Sequence, residues 1–161
     1  MKNTAKTLSI LFIVIVLLTS ACKTNVSRND DGSLNVETTI SQQELQDAIS
    51  ESIADPLIQE FTASLHSGYI MVTGERQQLN DASKTDTLSF RLDLGVSNGQ
   101  LTASVSNAQL DGHPVEQSRV DHWNQTLANR IANLAQRNPN SALQSVVITP
   151  SEVTMMWNVT K

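Results

Sequence analysis

The 161-residue chain carries 11 Lys and Arg against 16 Asp and Glu, a formal net charge of −5, and a single cysteine. This acidic balance argues against nucleic acid or polyanionic headgroups as partners, because phosphate recognition needs Lys and Arg. One cysteine excludes an internal disulfide or a thiolate metal cluster, and no P-loop, GxGxxG, CxxC or HExxH string occurs.

Lys2 and Lys6 precede Ile10 to Leu18 (ILFIVIVLL), an unbroken apolar run of nine residues, and Thr19-Ser20-Ala21-Cys22 follows. A charged start, an apolar stretch of about 7–15 residues and a small-residue cleavage zone make a secretory signal peptide over residues 1–21. A transmembrane helix needs roughly 17–25 apolar residues. The small-small-Cys ending resembles the bacterial lipobox, whose cysteine becomes the lipidated first residue of the mature chain. The departure is Thr19, where leucine is usual, with Leu18 one place earlier. The alternative is ordinary signal-peptidase cleavage after Ala21, which leaves Cys22 a free thiol.

The lipobox resemblance implies a protein exported to a bacterial cell envelope and held on the membrane by acylated Cys22. Each buried methylene contributes about 0.8 kcal/mol, so more than one chain gives stable anchoring. Lys23 in place of aspartate favours the outer membrane in a Gram-negative organism, and otherwise the anchor lies on the outer face of the cell membrane. Removing residues 1–21 takes Lys2 and Lys6 from the basic side and leaves nine basic against sixteen acidic residues, net −7.

Residues 22–33 read as a lipidated polar tether, and residues 34–161 as one domain of workable core size. Leu34, Val36 and Ile40 alternate as a first strand. Ser41-Gln42-Gln43-Glu44 is a capping box, with Ile40 and Leu45 at the staple positions. Leu45, Ala48, Ile49 and Ile53 form a helical stripe over about 41–54, stopped by Asp55-Pro56.

Phe61, Ala63 and Leu65 alternate before a Ser67-Gly68 turn, and Tyr69 to Val72 continues as a strand ending near Gly74. Residues 57–65 also fit a 3.6-residue period, but the turn and the Thr/Ser content favour strand. Gln77 to Asp86 reads as a loop. Leu88, Phe90, Leu92, Leu94 and Val96 alternate up to Asn98-Gly99, a strong hairpin signal because both residues tolerate positive φ. Leu101, Ala103 and Val105 resume the alternation, and Asp111-Gly112-His113-Pro114 ends it. Val120, Trp123, Leu127, Ile131 and Leu134 predict a second amphipathic helix over about 117–136, closed by Asn138-Pro139. Two strands, from Ser145 to Thr149 and from Val153 to Val159, complete the chain.

The order β-α-β-β-β-β-α-β-β with short turns predicts an α+β fold: a curved antiparallel sheet of about six to seven strands, one face covered by two helices. The motif T-I-S-x-x-E-L (Thr39 to Leu45), the Gly68 and Asn98-Gly99 hairpins, AQLDGHPV from Ala108, a helix bearing Asn124, Leu127 and Ala128, and LQSVVITPSEVTM from Leu143 together resemble small domains related to the tubular lipid-binding (TULIP) superfamily. That resemblance covers about residues 34–160. It implies a sheet wrapped around a helix with an apolar groove between them, and it carries over no catalytic residue and no cofactor.

The candidate lining of such a groove is Phe61, Leu65, Ile70, Phe90 and Leu92 from strands, Trp123, Leu127 and Ile131 from the second helix, and Met155 and Trp157 from the last strand, with Val72 and Val105 beside them. The same residues are what a closed core requires, whereas an open groove takes an acyl chain or other apolar molecule. Trp123 and Trp157 are the candidate anchors. The leading expectation is therefore a non-catalytic lipid-binding envelope lipoprotein. The alternative is a closed-core lipoprotein that docks an envelope protein.

Asp111, His113, Asp121 and His122 supply carboxylates and imidazoles, yet metal or acid/base work needs three or four such groups to converge; surface histidines are the simpler reading. No G-x-S-x-G elbow accompanies the serines. Asn25, Asn124 and Asn158 head N-x-S/T strings that chance composition explains in a bacterial chain.

Overall fold

The computed structural model describes residues 24–160. Residues 1–21, read from the sequence as a signal peptide, and Cys22 lie outside the described residues. Within them the elements run β1 (Thr24–Arg28), β2 (Leu34–Ser41), α1 (Gln42–Ile53), β3 (Ile58–His66), β4 (Tyr69–Gln78), β5 (Asp81–Ser97), β6 (Gln100–Leu110), β7 (His113–Pro114), α2 (Gln117–Ala135), β8 (Ser141–Ile148) and β9 (Glu152–Val159). The fold is α+β. All strand pairs are antiparallel, in a four-stranded sheet of order β1-β2-β9-β8 and a five-stranded meander β3-β4-β5-β6-β7. Apart from β1 and β7, the element order is the expected one. The strands are divided between two sheets because β8 pairs with β9 and not with the meander.

Helix α1 starts where its capping box stands: the Glu44 N–H donates to Ser41 Oγ at 3.3 Å, and the Glu44 carboxylate accepts from the Ser41 N–H at 2.9 Å. It ends at Ala54, in the left-handed region, whose N–H donates to the Ser50 carbonyl. Its stripe of Leu45, Ala48, Ile49 and Ile53 is buried, as are Val120, Trp123, Leu127, Ile131 and Ala135 of α2. The helices pack on each other, with α2 against β6 and α1 against β3. Residues 57–65, open between helix and strand, belong mostly to β3, with Phe61, Ala63 and Leu65 alternately buried.

Edge strand β3 is closed from the side by α1. Gln42 Nε2 donates to the Ala63 carbonyl at 2.8 Å, and the Ala63 N–H donates to Gln46 Oε1 at 3.3 Å. Two carboxamides one helical turn apart thus occupy groups that an open edge would offer to another strand. The two sheets are tied at the hairpin turns. Gly68 N–H donates to the Ile148 carbonyl (3.0 Å) and Leu143 N–H to the Gly99 carbonyl (2.8 Å), so β8 is held at both of its ends.

Two expectations need correction. The stretch 22–33, read as a tether, contains strand β1, paired with β2 from Thr24↔Thr38 to Arg28↔Leu34. All of its side chains are exposed, so it lacks the apolar alternation that marks a half-buried strand. An Asx turn closes the hairpin, Asp31 Oδ1 accepting from the Ser33 N–H and Oγ–H, with Gly32 at φ 84°. Residues 77–86, read as a loop, form the distal part of the β4–β5 hairpin, turning at Leu79-Asn80. Arg76 pairs with Asp55 at its base, and Gln77 N–H donates to the Leu57 carbonyl.

Candidate functional site

The ten groove candidates converge in space. Phe61, Leu65, Ile70, Phe90 and Leu92 belong to the meander, Trp123, Leu127 and Ile131 to α2, which packs on that sheet, and Met155 and Trp157 to β9; all share one core. Every one is 7% exposed or less. The Phe90 and Trp123 rings pack with centroids 5.7 Å apart, tilted by 31°. Val72 and Val105 join the same core. Neither Phe90 nor Leu127 lines any of the described cavities; among the ten, Trp157 alone does so. The space between α2 and the meander is occupied by side chains.

Polar groups inside are paired. Trp157 Nε1–H donates to Thr38 Oγ1 at 3.0 Å, and Asn124 Oδ1 accepts from the Val105 N–H at 2.7 Å. The second contact sits beside a bulge in β6, where Asn107 adopts φ 53° and the register shifts between Ser89 and Arg91. Asn124 therefore turns its carboxamide toward the sheet. Asn158 bonds Ser33 and Asn35, and Asn25 bonds Glu37, so all three N-x-S/T asparagines have structural partners.

His113 and His122 are exposed. Among the described residues no group of three or more His, Cys, Asp or Glu is arranged to hold a metal ion. On the outer face of the meander, His66 and Tyr69 stack at 4.7 Å, with the Arg91 guanidinium 4.2 Å from the Tyr69 ring centroid. Arg91 also forks onto Asp93, and that hydrogen bonding raises the guanidinium pKa above its ordinary value. These groups satisfy one another.

The most enclosed described cavity is a crevice of about 310 Å³ between the C-terminal half of α2, the β5–β6 turn and the start of β8. Gln100, Asn129, Asn133, Gln136 and Ser141 give it a polar lining, and Trp157 reaches it from the core. No charged residue lines it. Gln136 Nε2 donates to Ser141, but among the described residues Gln100, Asn129 and Asn133 make no side-chain hydrogen bond. Asn129 and Asn133 stand on α2 at i and i+4, hence in one row. Ala128 and Ala132, at the same spacing, are small enough to leave the depression open. Periodicity reading passed over these residues because it follows apolar positions. Their signal is the repeated Ala-Asn pair at 128–129 and 132–133.

No family model, curated protein or solved structure matches this chain.

Proposed function

We propose that this chain is a membrane-anchored lipoprotein of a bacterial cell envelope whose closed-core domain docks an envelope component without catalysis. The filled space between Phe90 and Leu127 carries this reading, since both side chains are 0% exposed. An acyl chain bound there would have to displace packed side chains, and each large residue displaced costs on the order of 2–5 kcal/mol. The TULIP-like element order supports an apolar ligand. The occupied core favours the docking alternative.

Anchoring follows from the lipobox reading of Cys22. Only Lys23 separates it from β1, so attachment at Cys22 holds the domain close to the headgroups. In cell fractionation, Cys22→Ser is expected to move the protein from membranes to the soluble fraction, and full retention would refute the anchor. Native mass spectrometry of the extracted protein is expected to find no stoichiometric lipid beyond the acyl chains on Cys22. A bound lipid would restore the groove reading.

A further inference from the structure

We infer that the α2/β5–β6 crevice is a binding site for an uncharged glycan chain. This rests on the docking reading and names the class of ligand docked. The lining has no ionised side chain in a protein whose net charge is −5, so recognition there rests on neutral hydrogen bonding. Gln100, Asn129 and Asn133 each bring a carbonyl acceptor and an NH₂ donor, and none is committed to another protein group among the described residues. Sugar hydroxyls likewise both donate and accept, so adjacent ring hydroxyls match carboxamides without any charge.

The spacing agrees. Asn129 and Asn133 are four residues apart on the helix, about 6 Å along the axis, comparable to the length of one unit in a linked pyranose chain. Ala128 and Ala132 offer small apolar surface to ring C–H groups between them, and Trp157 adds an aromatic edge. The volume of about 310 Å³ lies at the low end of ligand pockets, enough for a short run of sugar units with the remainder of the chain passing over the surface. Binding is expected to be insensitive to salt, because no ion pair contributes.

The test is an NMR titration of the full mature chain in a sugar-free zwitterionic detergent, with chitotetraose and maltotetraose as probes. Saturable shifts at Gly99, at the side-chain amides of Gln100, Asn129 and Asn133, and at the Trp157 indole N–H are expected with at least one of them, unchanged by added salt. Asn129→Ala and Asn133→Ala, both at exposed positions, are expected to weaken binding about five- to tenfold each, the loss of one ordinary hydrogen bond. Ala132→Phe, which fills the crevice, is expected to abolish it. Should Ala132→Phe disturb folding, the two asparagine variants decide. No saturable response to either sugar, or affinity unchanged in both asparagine variants, overturns the inference. That result leaves the docking reading standing, because Cys22→Ser fractionation and the search for bound lipid test it separately.

Discussion

Trp157 and Thr38 are joined by a buried hydrogen bond, indole Nε1–H to Oγ1 at 3.0 Å, across the β9–β2 pairing. Thr38 is 1% and Trp157 3% exposed, so neither group has water to fall back on. Thr38→Val keeps the shape and the β-branch but strands the indole donor, a loss of about 1–3 kcal/mol. Thr38→Ser keeps the acceptor and removes one methyl, at a cost of about 1 kcal/mol. Urea unfolding followed by tryptophan fluorescence is expected to rank the variants wild type, Ser, Val. Equal midpoints for Val and wild type would mean that the bond contributes nothing.

Gly99 holds the junction between the sheets. Its φ is +73°, and a Cβ built on it would lie 3.1 Å from the Ala142 Cβ. Its carbonyl accepts the Leu143 N–H, so the turn cannot retreat without breaking a link to β8. Gly99→Ala is expected to lower stability by about 1–3 kcal/mol, part from the left-handed backbone and part from the contact. Adding Ala142→Gly relieves only the second part. The double-mutant cycle is therefore expected to be non-additive, with the pair less damaging than the sum; strict additivity would place the whole cost in the backbone.

Legibility followed burial. Where one face of an element is covered, the pattern was readable: the Leu45–Ile53 stripe and the Leu88–Leu94 alternation stand where periodicity put them, and the Asn98-Gly99 turn where its residue types put it, with Asn98 at φ 52°. Strand β1 and the distal β4–β5 hairpin escaped because both of their faces meet solvent, so pairing is carried by backbone hydrogen bonds that leave no apolar trace. The set Phe61 to Trp157 was identifiable as one interior. Whether that interior is open or filled depends on volumes and rotamers that a pattern does not encode. The crevice was hidden for a further reason: its polar residues are common on any helix surface, and only the tertiary approach of Gln100 to Asn129 and Asn133 sets them around one cavity.

The Asp55–Arg76 pair predicts how stability responds to acid. Partial burial of the Asp55 carboxyl acts to raise its pKa. Hydrogen bonds from Arg76 (2.9 Å) and from the Leu57 N–H (3.0 Å), with the charges of Arg76 and Arg119, outweigh this and hold it below the ordinary carboxylate range. A carboxyl depressed in the folded state stabilises above its unfolded value, about 3.9, and loses that contribution as pH falls through the folded value. Asp55→Asn is therefore expected to lower the urea midpoint at pH 7, and the gap from wild type to narrow below about pH 4. A gap that stays constant down to pH 2.5 would show that the carboxylate charge is not what Arg76 holds.

The closed core makes a prediction that separates packing from ligand binding. Leu127 is fully buried on α2, in the same core as Phe90, Trp123 and Ile131. Leu127→Ala is expected to cost about 2–5 kcal/mol and to leave a dry cavity. A small apolar probe such as benzene should then stabilise the variant against heat and leave the wild-type melting temperature unchanged, since only the variant has room for it. Ile131→Val, expected to cost about 0.5–1.5 kcal/mol, provides a milder truncation if the alanine variant fails to fold. Probe-induced stabilisation of the wild type, with a change in Trp123 fluorescence, would instead mean that the interior opens for apolar guests. The docking reading would then yield to a lipid-binding one.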